Sequence, residues 1–243
     1  MRFGFVHACE QSHLQLATVG GGSVVQLESG KAVTNPLDPL FVYNFVFGVR
    51  RAFDLDTAVK AFRDAGRDYV HVLASPSSHA GLPEQLGRFG FRLAETQSYR
   101  FAPGTGRGAP GLLELGADGH ERFLETYHSA WGLNGPSPRD EVVRRRLADP
   151  RSRAYASADG AGVFLLFSAG SSTQLAHLAV AASAQGRGVG RRMLELAPGL
   201  LRERRPLWLF TERGGGGDRS AHAAGWQTAH TAEDWLLDLP PSP

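Results

Sequence analysis

The sequence predicts a mixed α/β protein built from two similar units, and three observations carry that prediction. Of its 243 residues, 42% are hydrophobic and 21% are charged, an ordinary balance for a globular chain. Both parts of the chain end in the same succession of strand, short helix, glycine–aromatic turn and strand. A glycine-rich turn at residues 185–190 also joins an apolar strand to a helix that opens with arginines. Strands and helices that follow one another in this way favour an α/β fold.

The first unit begins its recognisable pattern with the apolar segment 41–49, which predicts a strand. A helix is predicted over 55–66, where the apolar residues share one face. A strand at 69–74 follows, and a short helix with its glycine–aromatic turn ends at 91. The unit closes with a strand at 96–101.

The second unit is predicted in the order strand, two helices, three strands, helix, strand, short helix and strand. These elements are expected at 111–115, 119–131, 140–147, 153–157, 163–167, 173–180, 190–204, 207–211, 221–226 and 234–239. Pro198 should bend or split the long helix that contains it. Arg144, Arg145 and Arg146 are expected on a solvated helix face.

The segment 103–111 is rich in glycine and proline and has no apolar period, so it reads as a linker or surface loop. We therefore predict one domain at 1–103, a linker at 104–110 and a second domain at 111–243. The parallel order of elements on either side suggests duplication of one unit.

The turn at 185–190 has the chemistry of a phosphate site. Glycines at 186, 188 and 190 remove the Cβ atoms that would keep a ligand from the backbone. N–H groups at the start of the following helix favour anions. Positive charge is added by Arg187, Arg191 and Arg192. The simpler alternative is a turn that only links a strand to a helix. A dinucleotide fold is disfavoured, because the third glycine of its fingerprint is absent.

The pattern Gln-x-x-Gly-x-Gly at 185–190, after a strand that ends in Leu-Ala-Val, resembles the acetyl-CoA signature of the GNAT superfamily of N-acetyltransferases. The chain looks like a tandem form with a degenerate N-terminal repeat. The resemblance implies two GNAT-like domains, each a mixed, mostly antiparallel twisted sheet flanked by helices, with acetyl-CoA as co-substrate. It assigns cofactor binding to Leu178, Ala179, Val180, Gln185, Gly186, Arg187, Gly188, Val189, Gly190 and Arg191.

The first unit lacks this turn. In its place stands the segment 50–56, which has no glycine. Asp54 and Asp56 would repel a phosphate rather than hold it. We therefore expect the first domain to keep the fold without binding the cofactor, and to supply an interface or a wall of the substrate pocket.

At the positions where the resemblance implies side chains for proton transfer, this sequence has residues that are poorly suited to transfer a proton. Gln174 stands where many family members have a base; it takes no proton at neutral pH and is expected at most to position a water. Ala176 occupies a second such position, and strand alternation turns His177 to the opposite face unless a β-bulge intervenes. Ala221 replaces the usual acid, which leaves the adjacent His222 as a weak catalytic candidate.

Other candidates lie further from the signature. Glycines 214–217 predict a loop that is either mobile or ordered by the ligand. Glu121 and Glu125 are acidic groups on the first helix of the second unit, and the resemblance places that helix beside the acceptor. Trp131 would form a wall of the acceptor site or part of the core.

We predict an N-acetyltransferase that moves an acetyl group from acetyl-CoA to an amine of a small molecule or peptide, by direct attack in a ternary complex. The alternative is a catalytically weak acyl-CoA-binding protein of the same fold. A third interpretation, a binder of some other phosphate or nucleotide, requires the resemblance to be coincidental.

Composition limits the partners. A net charge of +2 gives no argument for nucleic acid, and the longest apolar stretch, 40–49, is too short to span a membrane. The single cysteine, Cys9, excludes an intrachain disulfide and fits a reducing compartment. We expect a cytoplasmic monomer or homodimer with no metal site.

Overall fold

The computed structural model describes residues 2–38, 40–50, 53–103, 108–133, 135–201 and 205–240. The helices of the described chain are α1 (Arg2–Val19), α2 (Phe53–Asp64), α3 (Leu82–Arg88), α4 (His120–Trp131), α5 (Pro138–Ala148), α6 (Val189–Leu196) and α7 (Gly216–Ala223). The strands are β1 (Ser23–Gln26), β2 (Lys31–Thr34), β3 (Phe45–Phe47), β4 (Tyr69–Ala74), β5 (Arg92–Phe101), β6 (Leu112–Leu115), β7 (Ser152–Ser157), β8 (Gly162–Ala169), β9 (Ser172–Val180), β10 (Leu207–Glu212) and β11 (Gln227–Asp238).

The eleven strands of the described residues form one sheet, in the order β1-β2-β3-β4-β11-β5-β10-β9-β8-β7-β6. Among them, β3 and β4 are parallel neighbours, as are β9 and β10, and the other neighbouring pairs are antiparallel. This confirms a mixed, mostly antiparallel sheet flanked by helices. The closing strands of the two units are exchanged, because β5 pairs with β10 and β11 pairs with β4. The units thus share one sheet, and the boundaries at 103 and 111 stay a prediction.

Helices cover both faces of the sheet. On one, which we call the α1 face, α1, α4 and α5 pack against β7, β8 and β9, with Leu16, Phe123, Val143 and Phe167 in the core. On the other, which we call the α6 face, Met193, Leu194 and Ala221 of α6 and α7 pack with Phe164 and Leu166 of β8. The successive residues of a strand point to opposite faces, which is why one strand serves both cores.

Two predicted elements are shorter than expected. The segment 41–49 contains only the strand β3, because Asn44 Nδ2 donates to the carbonyl oxygens of Asp38 (2.7 Å) and Leu40 (2.9 Å) and the residues between form a 3₁₀ turn. The helix predicted at 190–204 stops at Leu196, and a 3₁₀ turn containing Pro198 follows, as the proline predicts. Residues 202–204 lie outside the described chain.

Two other expectations are wrong. Arg146 is fully buried rather than solvated, since α1 covers this part of α5 and Arg146 Nε donates to Leu16 O (3.0 Å). Arg144 and Arg145 do lie at the surface. Glycines 216 and 217 do not form a loop but begin α7, because the Asp218 carboxylate accepts from Gly214 N (3.0 Å) and ends the turn. No described helix is both long and apolar enough to cross a bilayer.

Candidate functional site

The sheet opens between β9 and β10. These parallel strands pair only at Thr173 with Leu207 and at Gln174 with Trp208. Beyond that point the remaining residues of β9, up to Val180, have no ladder partner on β10 within the described chain. Unpaired backbone groups on a strand edge can bind an extended ligand. The opening leads from the centre of the sheet to the turn at 185–190.

That turn has the open backbone of an anion site. Gly186 and Gly188 adopt φ angles of +75° and +81°, which favour glycine, and no atom lies within 4 Å of the place where either Cβ would stand. Gly188 is the N-cap of α6 and supplies no side-chain cap. The amide of Arg192 donates to Gly188 O (2.9 Å), so the amides of residues 189–191 precede the first helical hydrogen bond. These N–H groups and the helix dipole favour a phosphate here.

Gln185 supports the turn from within. Its Nε2 donates to Ala130 O and to Val180 O, at 3.1 Å each. Ala182 N donates to Ser129 Oγ at 3.2 Å, which gives a second bond between the turn and the end of α4. The signature glutamine therefore holds the shape of the turn, in addition to any contact that it makes with a ligand.

Cationic groups flank the turn. Arg187 is exposed, and Arg191 Nε donates to Glu195 Oε1 (2.8 Å) on the outer face of α6. A groove of about 340 Å³ runs from the turn along α6, with Arg187 and Arg192 at its rim and Leu112 and Met193 among its apolar lining.

The first unit fills the equivalent place with its own carboxylate. Asp54, one residue into α2, is buried and accepts hydrogen bonds from the amides of Glu28 (2.9 Å) and Ser29 (3.3 Å) and from the Ser29 hydroxyl. A carboxylate in this position excludes a phosphate by occupancy and by charge.

A β-bulge changes the direction of His177. Val163 pairs with Ala179 but Leu165 pairs with Ala176, so β9 carries one extra residue. His177 adopts a φ of +52°, and no other non-glycine residue of the described chain has a positive φ. Its ring packs against Tyr127 (5.6 Å between centroids) on the α1 face, where residues 174 and 176 also point. The expectation from strand alternation was wrong, because the bulge shifts the parity.

The ring of His177 is held neutral. Burial, reinforced by Arg146 and Arg139, keeps its pKa well below the usual range. Arg146 Nη1 lies 3.3 Å from His177 Nε2, and a guanidinium can only donate. Nε2 is therefore the acceptor, and Nδ1 carries the hydrogen.

Gln174 is tied to the first unit. It is buried, and its Nε2 donates to His13 Nδ1 (3.1 Å) on α1, while His13 Nε2 donates to Val42 O (2.7 Å). Burial lowers the pKa of His13 to about 4, which keeps that ring neutral as well. Both nitrogens of His13 are engaged, so it is not a free base. Gln174 Oε1 has no hydrogen-bond partner among the described residues.

No protein-family model and no curated protein matches the chain. Several solved structures do match it. A GCN5-related N-acetyltransferase from Kribbella flavida superposes with a TM-score of 0.64 at 16% identity, over 97% of this chain and 96% of that one. A tandem GNAT protein from the clavulanic acid biosynthesis pathway superposes with 0.55 at 14% identity, over 94% and 89%. The chain has the tandem GNAT fold. A functionally unknown conserved protein from Staphylococcus epidermidis also matches, with 0.62 at 11% identity over 90% and 95%.

Within the GNAT fold, His222 lies away from the other candidates. It is exposed near the end of α7, which packs beside α6 on the α6 face. Gln174 and His177 are on the α1 face. The structure therefore does not bring His222 together with them.

Two carboxylates that the sequence interpretation missed, Glu212 and Glu95, lie close to each other near the end of β10. If the β9–β10 register is continued, Glu212 at the end of β10 is level with Leu178. Its neighbour on β5 is Gln97, whose Nε2 lies 3.1 Å from Glu95 Oε2 and 2.6 Å from Asp234 Oδ2. Burial raises the pKa of Glu95, and Glu212 and Asp234 raise it further. Only the exchange of strands between the units brings these groups together, so no local pattern could have shown them.

Proposed function

We propose that the chain is an N-acetyltransferase that moves an acetyl group from acetyl-CoA to an amine. The observation that carries the proposal is the opening between β9 and β10, which ends at an uncapped glycine turn with free helix amides. Bound acetyl-CoA would supply the thioester that the amine attacks. The amides of residues 189–191 and the Arg187 guanidinium would bind its pyrophosphate, and the edge of Leu178–Val180 that does not pair with β10 would bind the pantetheine arm.

We assign proton transfer in this reaction to side chains near the ends of the strands. The acceptor ammonium must lose one proton before its nitrogen attacks; the C–N bond then forms, the C–S bond breaks, and the second proton of the nitrogen goes to the released thiolate to give the free thiol. Glu95 is the general base of this proposal, because its raised pKa suits proton uptake and the first unit delivers it beside Glu212. A backbone amide of Leu178–Val180 would stabilise the oxyanion. Gln174 Oε1, which has no partner in the described chain, would accept from a water.

A second candidate function is a catalytically weak acyl-CoA-binding protein of the same fold. It is favoured by the hydrogen bonds that join Gln174 to His13 and His13 to Val42 O, because they leave neither side chain free to take a proton.

Two measurements test the proposal. Calorimetry should show acetyl-CoA binding to the purified chain, and absence of binding would refute both candidate functions. Thiol release with a panel of amines should then show turnover that falls at least tenfold in Glu95→Gln. Glu84→Gln, which removes an exposed carboxylate paired with Arg88 on α3, is the matched control and should keep full activity. Binding without turnover over the whole panel would establish the second candidate instead.

A further inference from the structure

The α1 face carries a buried cluster of cationic groups beside the bulge of β9. Arg146 Nη1 and Arg139 Nε each lie 3.5 Å from the carboxylate of Asp38, which is 1% exposed. The guanidinium of Arg146 lies 3.7 Å from the centroid of the Tyr43 ring, and Arg139 Nη2 donates to the Tyr127 hydroxyl. Two guanidinium groups thus share one carboxylate.

This cluster has more hydrogen-bond donors than acceptors. Arg146 Nη2 and Arg139 Nε are buried and make no hydrogen bond within the described chain. His177 Nδ1 carries a hydrogen as well, because its Nε2 accepts from Arg146 Nη1. The next carboxylate along, Asp140, is already bound by His128 Nε2 (2.7 Å) and by Ser137 N (3.1 Å). Buried donors and charges are normally matched, so a surplus of both favours a ligand with negatively charged oxygens.

These unmatched donors lie next to the place where the proposed function puts the acetyl group of acetyl-CoA. His177 directly precedes Leu178–Val180, the segment that would hold the pantetheine arm. Its ring is 5.6 Å from that of Tyr127, which in turn lies 5.4 Å from the Arg139 guanidinium. Arg139 stands at the start of α5, at the mouth of the α4–α5 loop, and its side chain is 14% exposed. Part of the Arg139 side chain is therefore open to solvent.

We propose that the acceptor is an amino acid or a related amine with a carboxylate close to its amino group, and that Arg139 binds that carboxylate together with His177 Nδ1–H. A planar guanidinium fork matches a carboxylate in charge and geometry. The ammonium group would lie toward Glu95 and Glu212, so the site would have opposite charges at its two ends, as a zwitterion has. This inference rests on the proposed function, since it names the substrate class of the same site.

The test compares acceptors that differ only in the carboxylate. Thiol release from acetyl-CoA is measured with glycine, alanine, phenylalanine, lysine and glutamate, each beside its carboxamide. We expect at least one pair in which the free acid has a kcat/KM at least tenfold above that of the amide. Arg139→Gln should abolish that preference, and Arg139→Lys should restore part of it.

Arg144→Gln is the matched control. Arg144 lies on the same helix, and its guanidinium pairs with Glu121 at the surface (Nη2 to Oε2, 3.1 Å), so the acid–amide preference should be unchanged. Acetyl-CoA binding by calorimetry is measured in every variant, which separates a lost acceptor site from a misfolded protein.

Three outcomes would overturn the inference: equal turnover of acids and amides, preference for amides, or equal loss of both in Arg139→Gln. The first two would still leave the proposed acetyltransferase standing. If no acceptor is acetylated, calorimetry of the same pairs in the presence of coenzyme A decides. Binding of an acid that Arg139→Gln abolishes supports the carboxylate site, and no binding by any acid refutes it.

Discussion

Replacement of Gly188 by aspartate isolates the electrostatic part of cofactor binding. Gly188 caps α6 at a φ of +81°, and a Cβ there meets no atom within 4 Å, so a side chain has room in the absence of ligand. Aspartate and asparagine are nearly the same size, and both tolerate the left-handed conformation better than other side chains. The pair Gly188→Asp and Gly188→Asn therefore differs almost only in charge.

The expected effect follows from Coulomb's law. A carboxylate about 5 Å from one phosphate charge, at an effective dielectric constant of about 20, costs about 3 kcal/mol. That is roughly a hundredfold in the dissociation constant. Strain at the positive φ affects both variants alike. Because the turn is exposed, added salt should reduce the difference between them.

Calorimetric titration with acetyl-CoA at two ionic strengths measures this difference. Gly170→Asp is the control, since Gly170 also has a positive φ (+55°) in open space but lies in the turn between β8 and β9. It should bind acetyl-CoA as the unaltered chain does. Equal affinities of Gly188→Asp and Gly188→Asn would show that no anion is bound at this turn, and the reasoning from its geometry would fail.

Three further outcomes are expected. Gln185→Ala should weaken acetyl-CoA binding several-fold with little change in thermal stability, because it removes the two bonds that shape an exposed turn; unchanged calorimetric affinity would contradict this. Arg146→Met should lower the free energy of unfolding in urea by about 3 kcal/mol, because it removes a partner of the buried Asp38; a loss under about 1 kcal/mol would contradict it. His13 has its pKa lowered to about 4, so its contribution to stability is complete above about pH 6.5 and is lost as the pH falls toward 4. His13→Asn should flatten the pH dependence by about 1.4 kcal/mol per pH unit in that window, and parallel urea-denaturation curves would refute this.

Most elements of the second unit could be predicted from local patterns in the sequence. The turn at 185–190 could be recognised because Gly186 and Gly188 adopt positive φ angles, which depend on neighbouring residues alone. The hairpin of β7 and β8 and the helix α4 were predictable for the same reason, since alternation and helical spacing are visible in one stretch of chain.

Helix α1 could not be predicted from a local pattern in the sequence. It packs against β8, β9 and α5, so Cys9 and Leu16 are buried together with polar residues such as Glu10 and His13. A helix buried on several sides, with polar groups inside, has no apolar stripe that a sequence window can detect. The burial of Arg146 has the same origin, because α1 comes from a distant part of the chain.

The exchanged strands give a physical reason why the chain contains the first unit, although that unit has no phosphate turn. Strand β5 lies between β10 and β11, so the second unit alone would have no neighbour for the inner edge of β10. Arg100 of β5 donates to Asp218 Oδ1 (2.6 Å) at the start of α7, and this bond lowers the pKa of the aspartate. The same aspartate fixes the glycine turn before α7, and β5 also carries Glu95, which lies close to Glu212. A chain cut at the linker should therefore lose the shape of the opening as well as the proposed base, although every residue of the phosphate turn would remain.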